Sequence, residues 1–264
     1  MPCSEDDDTT LVHILDVLNM CVLPGDIVNV IGFVESNLLP FVHRRLQGGA
    51  TDPQNLRLAF RVLEAARHLF LKNVDVSAAK LESIRASLVS LLDIQGPVAV
   101  QAVKCLSAIL KSFPSLRGSC ARCGLPEQLA GYLKERRTPN SFLDKAFIQY
   151  SLLLLSCFPS TASSALDELC WMDRFISDRV ASIRSSALFV LSFQSSAGDD
   201  DSSSHAMEAA CSYLSNERQA PVVRRASARY LWSTLPFLIE NERNELLLRI
   251  ANLTLDSTCW SRLI

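Results

Sequence analysis

Along most of this chain, apolar residues recur every three or four positions, the spacing that collects one face of an α-helix. Five stretches carry the pattern most clearly: residues 55–69 (NLRLAFRVLEAARHL), 98–113, 144–158, 182–193 and 222–235. Each predicts an amphipathic helix, and each has a leucine near its middle. These anchors are Leu63, Leu106, Leu152, Leu191 and Leu231, separated by 43, 46, 39 and 40 residues. Leu18, in residues 11–21, extends the series backwards by 45. Six units of this length fill the chain, which predicts a repeat array. Four residues before each anchor, on the same helical face, stand Ala59, Ala102, Ile148, Ala187 and Ser227. Four of the five are small, and a small side chain at a fixed position lets a neighbouring helix approach closely.

A second helix is expected after each anchored one. Two of them have a recognisable entry. Asn37-Leu38-Leu39-Pro40 precedes FVHRRLQGG, and Cys123-Gly124-Leu125-Pro126 precedes EQLAGYLKE. In both, a turn-forming residue is followed by an apolar residue and a proline, and proline is tolerated in a first helical turn because its missing N–H has no partner there. Gly48-Gly49 then predicts the end of the first of these helices.

Residues 35–49 (ESNLLPFVHRRLQGG) and 121–135 (ARCGLPEQLAGYLKE) resemble the last helix of an armadillo repeat, with its Gly–apolar–Pro entry. Residues 177–193 and 217–235 resemble the armadillo and HEAT pattern of a polar turn, a Val/Ile-Arg pair and an Ala-rich helix. Ile183-Arg184 and Val223-Arg224 carry that pair. The resemblance covers most of the chain. It implies an all-α fold, a right-handed α-solenoid of about six armadillo/HEAT-like repeats over residues 9–255. Residues 1–8 are then an acidic tail, residues 194–205 (QSSAGDDDSSSH) a flexible acidic, serine-rich loop, and residues 256–264 a tail or cap.

Composition narrows the function classes. The 264 residues are 48% hydrophobic with only 9 glycines and 11 prolines, a balance that favours helices over turn-rich β structure. With 26 basic and 28 acidic residues the net charge is −2, so no global basic field exists to hold a polyanion. Local arginine clusters keep nucleic acid as the alternative partner. No apolar run reaches the length of a membrane span, and the start, MPCSEDDD, is unlike a secretory signal. A cytoplasmic or nuclear location is expected, where cysteines stay reduced. Cys21, Cys105, Cys157, Cys170 and Cys211 lie among apolar neighbours and are expected as small buried hydrophobes.

Catalytic and metal signals are sparse. Cys120 and Cys123 have the spacing of half a zinc site, but there is no second such pair and His13, His43, His68 and His205 are scattered. The chain has no nucleophile elbow, no HExxH and no Gly-rich phosphate loop. The expectation is a non-enzymatic scaffold or adaptor without cofactor or metal, binding a protein partner such as an acidic helix or extended segment, with no membrane role. Arg61, Lys104 and Arg229 each lie two residues before an anchor and form the candidate groove row. The other occupants of that position are Tyr150 and Phe189. Arg224, Arg225 and Trp260 are further candidate contacts, whereas Trp232, directly after an anchor, is expected in the core. Basic clusters such as these also simply decorate solvated helix faces. Cargo-importing armadillo proteins carry Trp two before and Asn two after the anchor. Here the Asn position holds Ala65, Ala108, Leu154, Phe193 and Ser233, which disfavours that role. Serines flanking Asp199-Asp200-Asp201 form an acid-directed phosphorylation candidate or an unmodified solubilising loop.

Overall fold

The five anchored stretches are helices, each starting and ending within three residues of the expected bounds. In the computed structural model, described over residues 13, 31–49, 52–71, 77–94, 96–135, 141–158, 169–194, 201–238 and 240–255, every long element is helical and no strand occurs among the described residues. The helices are α1 (Leu39–Gly49), α2 (Pro53–Phe70), α3 (Ala78–Ser90), α4 (Pro97–Ser112), α5 (Arg117–Arg122), α6 (Leu125–Glu135), α7 (Phe142–Leu155), α8 (Asp173–Ile176), α9 (Ala181–Gln194), α10 (Asp201–Ser215), α11 (Pro221–Thr234) and α12 (Glu240–Leu255). The expectations for residues 1–8, for Leu18 and for residues 256–264 with Trp260 fall outside the described residues.

Local chemistry explains several boundaries. The Asp52 carboxylate accepts a hydrogen bond from the Gln54 N–H, with Pro53 in the first turn of α2. Ser141 and Asp144 satisfy each other's backbone N–H groups at the start of α7, in a reciprocal capping box. Gly124 takes a φ of 75° between α5 and α6, a conformation that favours glycine, and so the Gly–Leu–Pro entry works as expected. The Asn37–Pro40 entry does not. A π-helical segment, Val34–Leu38, runs directly into α1, and the Leu39 N–H reaches back to the Val34 carbonyl. Pro40 has no N–H for an ordinary helical bond, and the wider π turn lets the helix continue past it.

The chain divides into two compact units, residues 1–120 with 141–150, and residues 121–140 with 151–264. In the first, α2 packs on α4 and α1 on α3, while α1–α2 and α3–α4 are neighbouring pairs. In the second, α9 packs on α11 and α10 on α12, with α10 against α11. In each unit, then, some neighbouring helices pair and some helices stack on the next but one. That arrangement is compatible with a helical repeat architecture. The anchors are the reason: Leu63, Leu106, Leu152 and Leu231 are fully buried and Leu191 nearly so. Burying one such side chain stabilises by roughly 1.5–3 kcal/mol. Ala59, Ala102, Ile148, Ala187 and Ser227 are buried too, and the Ser227 hydroxyl is satisfied by donating to the Val223 carbonyl at 2.9 Å. Cys105 on α4 donates its S–H to the carbonyl of the anchor Leu63 on α2, at 3.1 Å.

The acidic serine-rich segment is shorter than expected as a loop. The helix α9 extends through Gln194 and α10 already begins at Asp201, so residues 201–205 are helical.

Candidate protein-interaction face

The position two before each anchor lies on one side of its helix, and the structure brings two pairs of these residues together. In the first unit, the Lys104 ammonium of α4 sits 4.6 Å from the ring centre of Tyr150 on α7. In the second unit, the Arg229 guanidinium of α11 sits 4.6 Å from the ring centre of Phe189 on α9 and 4.6 Å from that of Phe193. Both contacts join the same repeat position on successive anchored helices and pair a cation with an aromatic face. The position is thus one of mixed cationic and aromatic chemistry rather than a plain basic row.

The three candidate cations have different surroundings. Arg61, 55% exposed along its side chain, pairs with Glu64 at 3.3 Å on its own helix, which offsets its charge locally. Burial, followed by the nearby Arg67 charge, lowers the Lys104 pKa. Arg229 is exposed and fits into the corner of Phe189 and Phe193, whose rings are nearly perpendicular at a centroid distance of 5.0 Å. Arg61 and Lys104 belong to the first unit and Arg229 to the second.

Beside Arg229 lies a cleft of about 400 Å³, bordered by Leu153 of α7, Phe189 of α9, and Val222, Arg225 and Ala226 of α11. Arg225 stands one helical turn before Arg229, on the same face, and is also exposed. Trp232 continues the exposed side of α11 and is 75% exposed, which corrects its expected place in the core. A residue directly after the anchor is turned about 100° from it. In α9 the same position holds a half-buried serine, Ser192; in α11 a tryptophan is left open.

Other arginines serve the fold. Arg184 donates to the Asp178 carbonyl at 2.5 Å and the Gln219 side-chain oxygen at 2.7 Å, and its guanidinium lies 5.6 Å from the Tyr213 ring centre. It ties the turn before α9 to the turn before α11. Arg224 occupies the equivalent position in α11, seven before the anchor, and is half-buried, unlike its exposed neighbour Arg225. Arg174 donates to the Leu133 and Lys134 carbonyls at the end of α6, and Arg117 to the Leu110 carbonyl near the end of α4, at 3.3 Å. The Ile-Arg element of the sequence pattern is, at Arg184, a stacking brace.

The cysteines divide by burial. Cys105, Cys120 and Cys211 are buried, Cys157 is half-buried and Cys123 is exposed. Burial pushes the Cys105 thiol up to about 12. Among the described residues no group of three or more metal-ligating side chains converges, and no helix is long and apolar enough to cross a membrane.

No protein-family model matches the chain, and no curated protein matches it. Among solved structures, a crystal structure of an engineered protein is similar at a TM-score of 0.54 and 15% identity, over 84% of this chain and 90% of that one. That likeness concerns the fold alone. What is common to the sequence pattern, the packing and the comparison is an all-helical chain compatible with a helical repeat architecture.

Proposed function

We propose that this chain is a non-catalytic protein-binding module, an irregular armadillo/HEAT-like solenoid that receives a segment of a partner along the face of its anchored helices. The observation that carries this reading is the register of Lys104 with Tyr150 and of Phe189 with Arg229. Equivalent repeat positions present cations and aromatic rings on an accessible surface, the residue types that dominate contact energies at protein interfaces. Stacked helices bury their apolar sides against neighbours and leave extended surfaces as their natural working sites. A scaffold or adaptor in a larger complex, cytoplasmic or nuclear, is consistent with this surface, and no cofactor enters the reading.

The test is crosslinking with mass spectrometry on the intact chain, beside a variant with Arg61, Lys104 and Arg229 all changed to Glu. Partners captured by the parent chain should be lost from the variant while its helical circular dichroism is retained. Unchanged capture would refute the assignment of this face. The alternative, nucleic-acid association through arginine clusters, is favoured only if duplex or single-stranded DNA binds with an affinity that falls steeply with salt.

A further inference from the structure

The cleft beside Arg229 has features that select one kind of occupant within the binding mode proposed above, and the inference rests on that reading. Arg225 and Arg229 border it one turn apart on α11, while Leu153, Phe189, Val222 and Ala226 supply apolar walls. No carboxylate among the described residues pairs with either arginine. Arg229 already has neighbours before any ligand arrives: two near-perpendicular phenyl rings each lie 4.6 Å from its guanidinium carbon. Aromatic contacts of this kind leave guanidinium N–H groups for a planar acceptor such as a carboxylate.

We infer that this cleft recognises an amphipathic helix of a partner protein that places one apolar side chain between two carboxylates about one turn apart. Residues four apart on a helix lie about 5–6 Å from one another, so two acidic side chains at that spacing match the spacing of Arg225 and Arg229. The apolar side chain between them fills the cleft against Phe189 and Val222, in the helix-in-groove mode of recognition. Charge complementarity sets the choice of occupant. Nucleic acid fits less well, because the walls are mainly aliphatic and aromatic, the cations number two, and the chain's net charge is −2. Trp232, exposed farther along α11, offers the next contact for a helix that runs past Arg229.

The experiment selects binders of the full chain from a helix-presenting peptide library randomised on one face. The enriched peptides are then measured by fluorescence anisotropy. Expected is enrichment of an apolar residue bracketed by Glu or Asp at one-turn spacing, with affinity falling about tenfold or more in Arg225→Ala and in Arg229→Ala. Replacing the peptide's Glu by Gln should produce a similar loss. Arg225 is exposed and pairs with no carboxylate among the described residues, so its variant remains informative even if Arg229→Ala perturbs the Phe189–Phe193 corner. Enriched peptides without acidic bias, or unchanged by either arginine variant, would overturn the inference. Peptides that lose binding only with Arg61→Glu or Lys104→Glu would overturn it too, while leaving the broader protein-binding reading standing. Enrichment of nothing at all would overturn the inference, while the broader reading falls only if crosslinking to the intact chain captures no protein partner. Displacement of bound peptide by short duplex DNA at physiological salt would overturn the inference in favour of a polyanion site.

Discussion

The position two residues before the anchor leucine does different work in the two units. In the first, Arg61 is paired with Glu64, and Lys104 is half-buried over Tyr150 with Arg67 close by. In the second, Arg229 lies in an aromatic corner, Arg225 stands beside it, and an open cleft adjoins both. The first arrangement spends cationic charge inside the unit and the second leaves it for an outside acceptor. Position in a repeat therefore fixes which face a residue occupies, and its neighbours decide whether that residue is available.

The largest test of this contrast asks whether the anchors are equally important to both units. Leu106→Ala in the first and Leu231→Ala in the second should each cost about 2–5 kcal/mol, measured by denaturant unfolding, because both side chains are fully buried. A cost below 1 kcal/mol at either site would show that its unit does not depend on the anchor.

High pH should weaken both units next. Burial raises Cys105 to about 12 in the first unit. Tyr230 in the second is likewise pushed up to about 12, by burial first and then by the Asp173 charge. Both groups are neutral in the folded and unfolded chain below pH 9. As pH rises, the unfolded chain releases these protons first, so stability present at neutral pH falls toward the folded-state pKa. Loss should begin above about pH 9 from Cys105, at about 1.4 kcal/mol per pH unit, with a contribution from Cys211 of the second unit, which burial also raises, and Tyr230 joining above about pH 10. Melting temperatures of Cys105→Ala should fall less steeply above about pH 9 than those of the parent chain. An unchanged slope would refute Cys105 as a contributor. In the folded chain near neutral pH, Cys123 should react with a thiol reagent well before Cys105.

A smaller effect is expected at the brace. Arg184→Ala removes two hydrogen bonds that join successive turns in the second unit, and should cost about 1–3 kcal/mol. Smallest of all is Trp232→Ala. At 75% exposure the side chain contributes little to folding, so the change should stay within about 0.5 kcal/mol. A much larger loss would return Trp232 to a structural role.

The anchored helices were readable because their signal is local. Leu63, Leu106, Leu152, Leu191 and Leu231 head stripes that recur at helical spacing, and all are buried. The small residues four positions earlier were equally legible, for the same reason. Misreadings arose where a contact beyond the local pattern decides. Asn37–Pro40 looks like a turn, yet the helix absorbs Pro40 through a π segment. The polar run after Gln194 looks like a loop, yet from Asp201 it is helix. Trp232 looks like core by its type and by its place next to an anchor, but sits on the open side of α11. The candidate site was half legible: Arg229 and Arg225 could be named, while Phe189 and Phe193 entered only as occupants of repeat positions.

The sequence by itself determined that the chain is helical, where its five anchored helices run and that their anchors are buried. Those properties follow from side-chain periodicity along a single helix. Only the tertiary structure decided that Lys104 is half-buried over Tyr150. It alone set Arg184 as a brace and Arg229 against two rings beside an apolar cleft. Pairing across helices depends on how each helix is rotated about its axis and on which neighbour it meets, and neither is encoded in the spacing of residues within one helix.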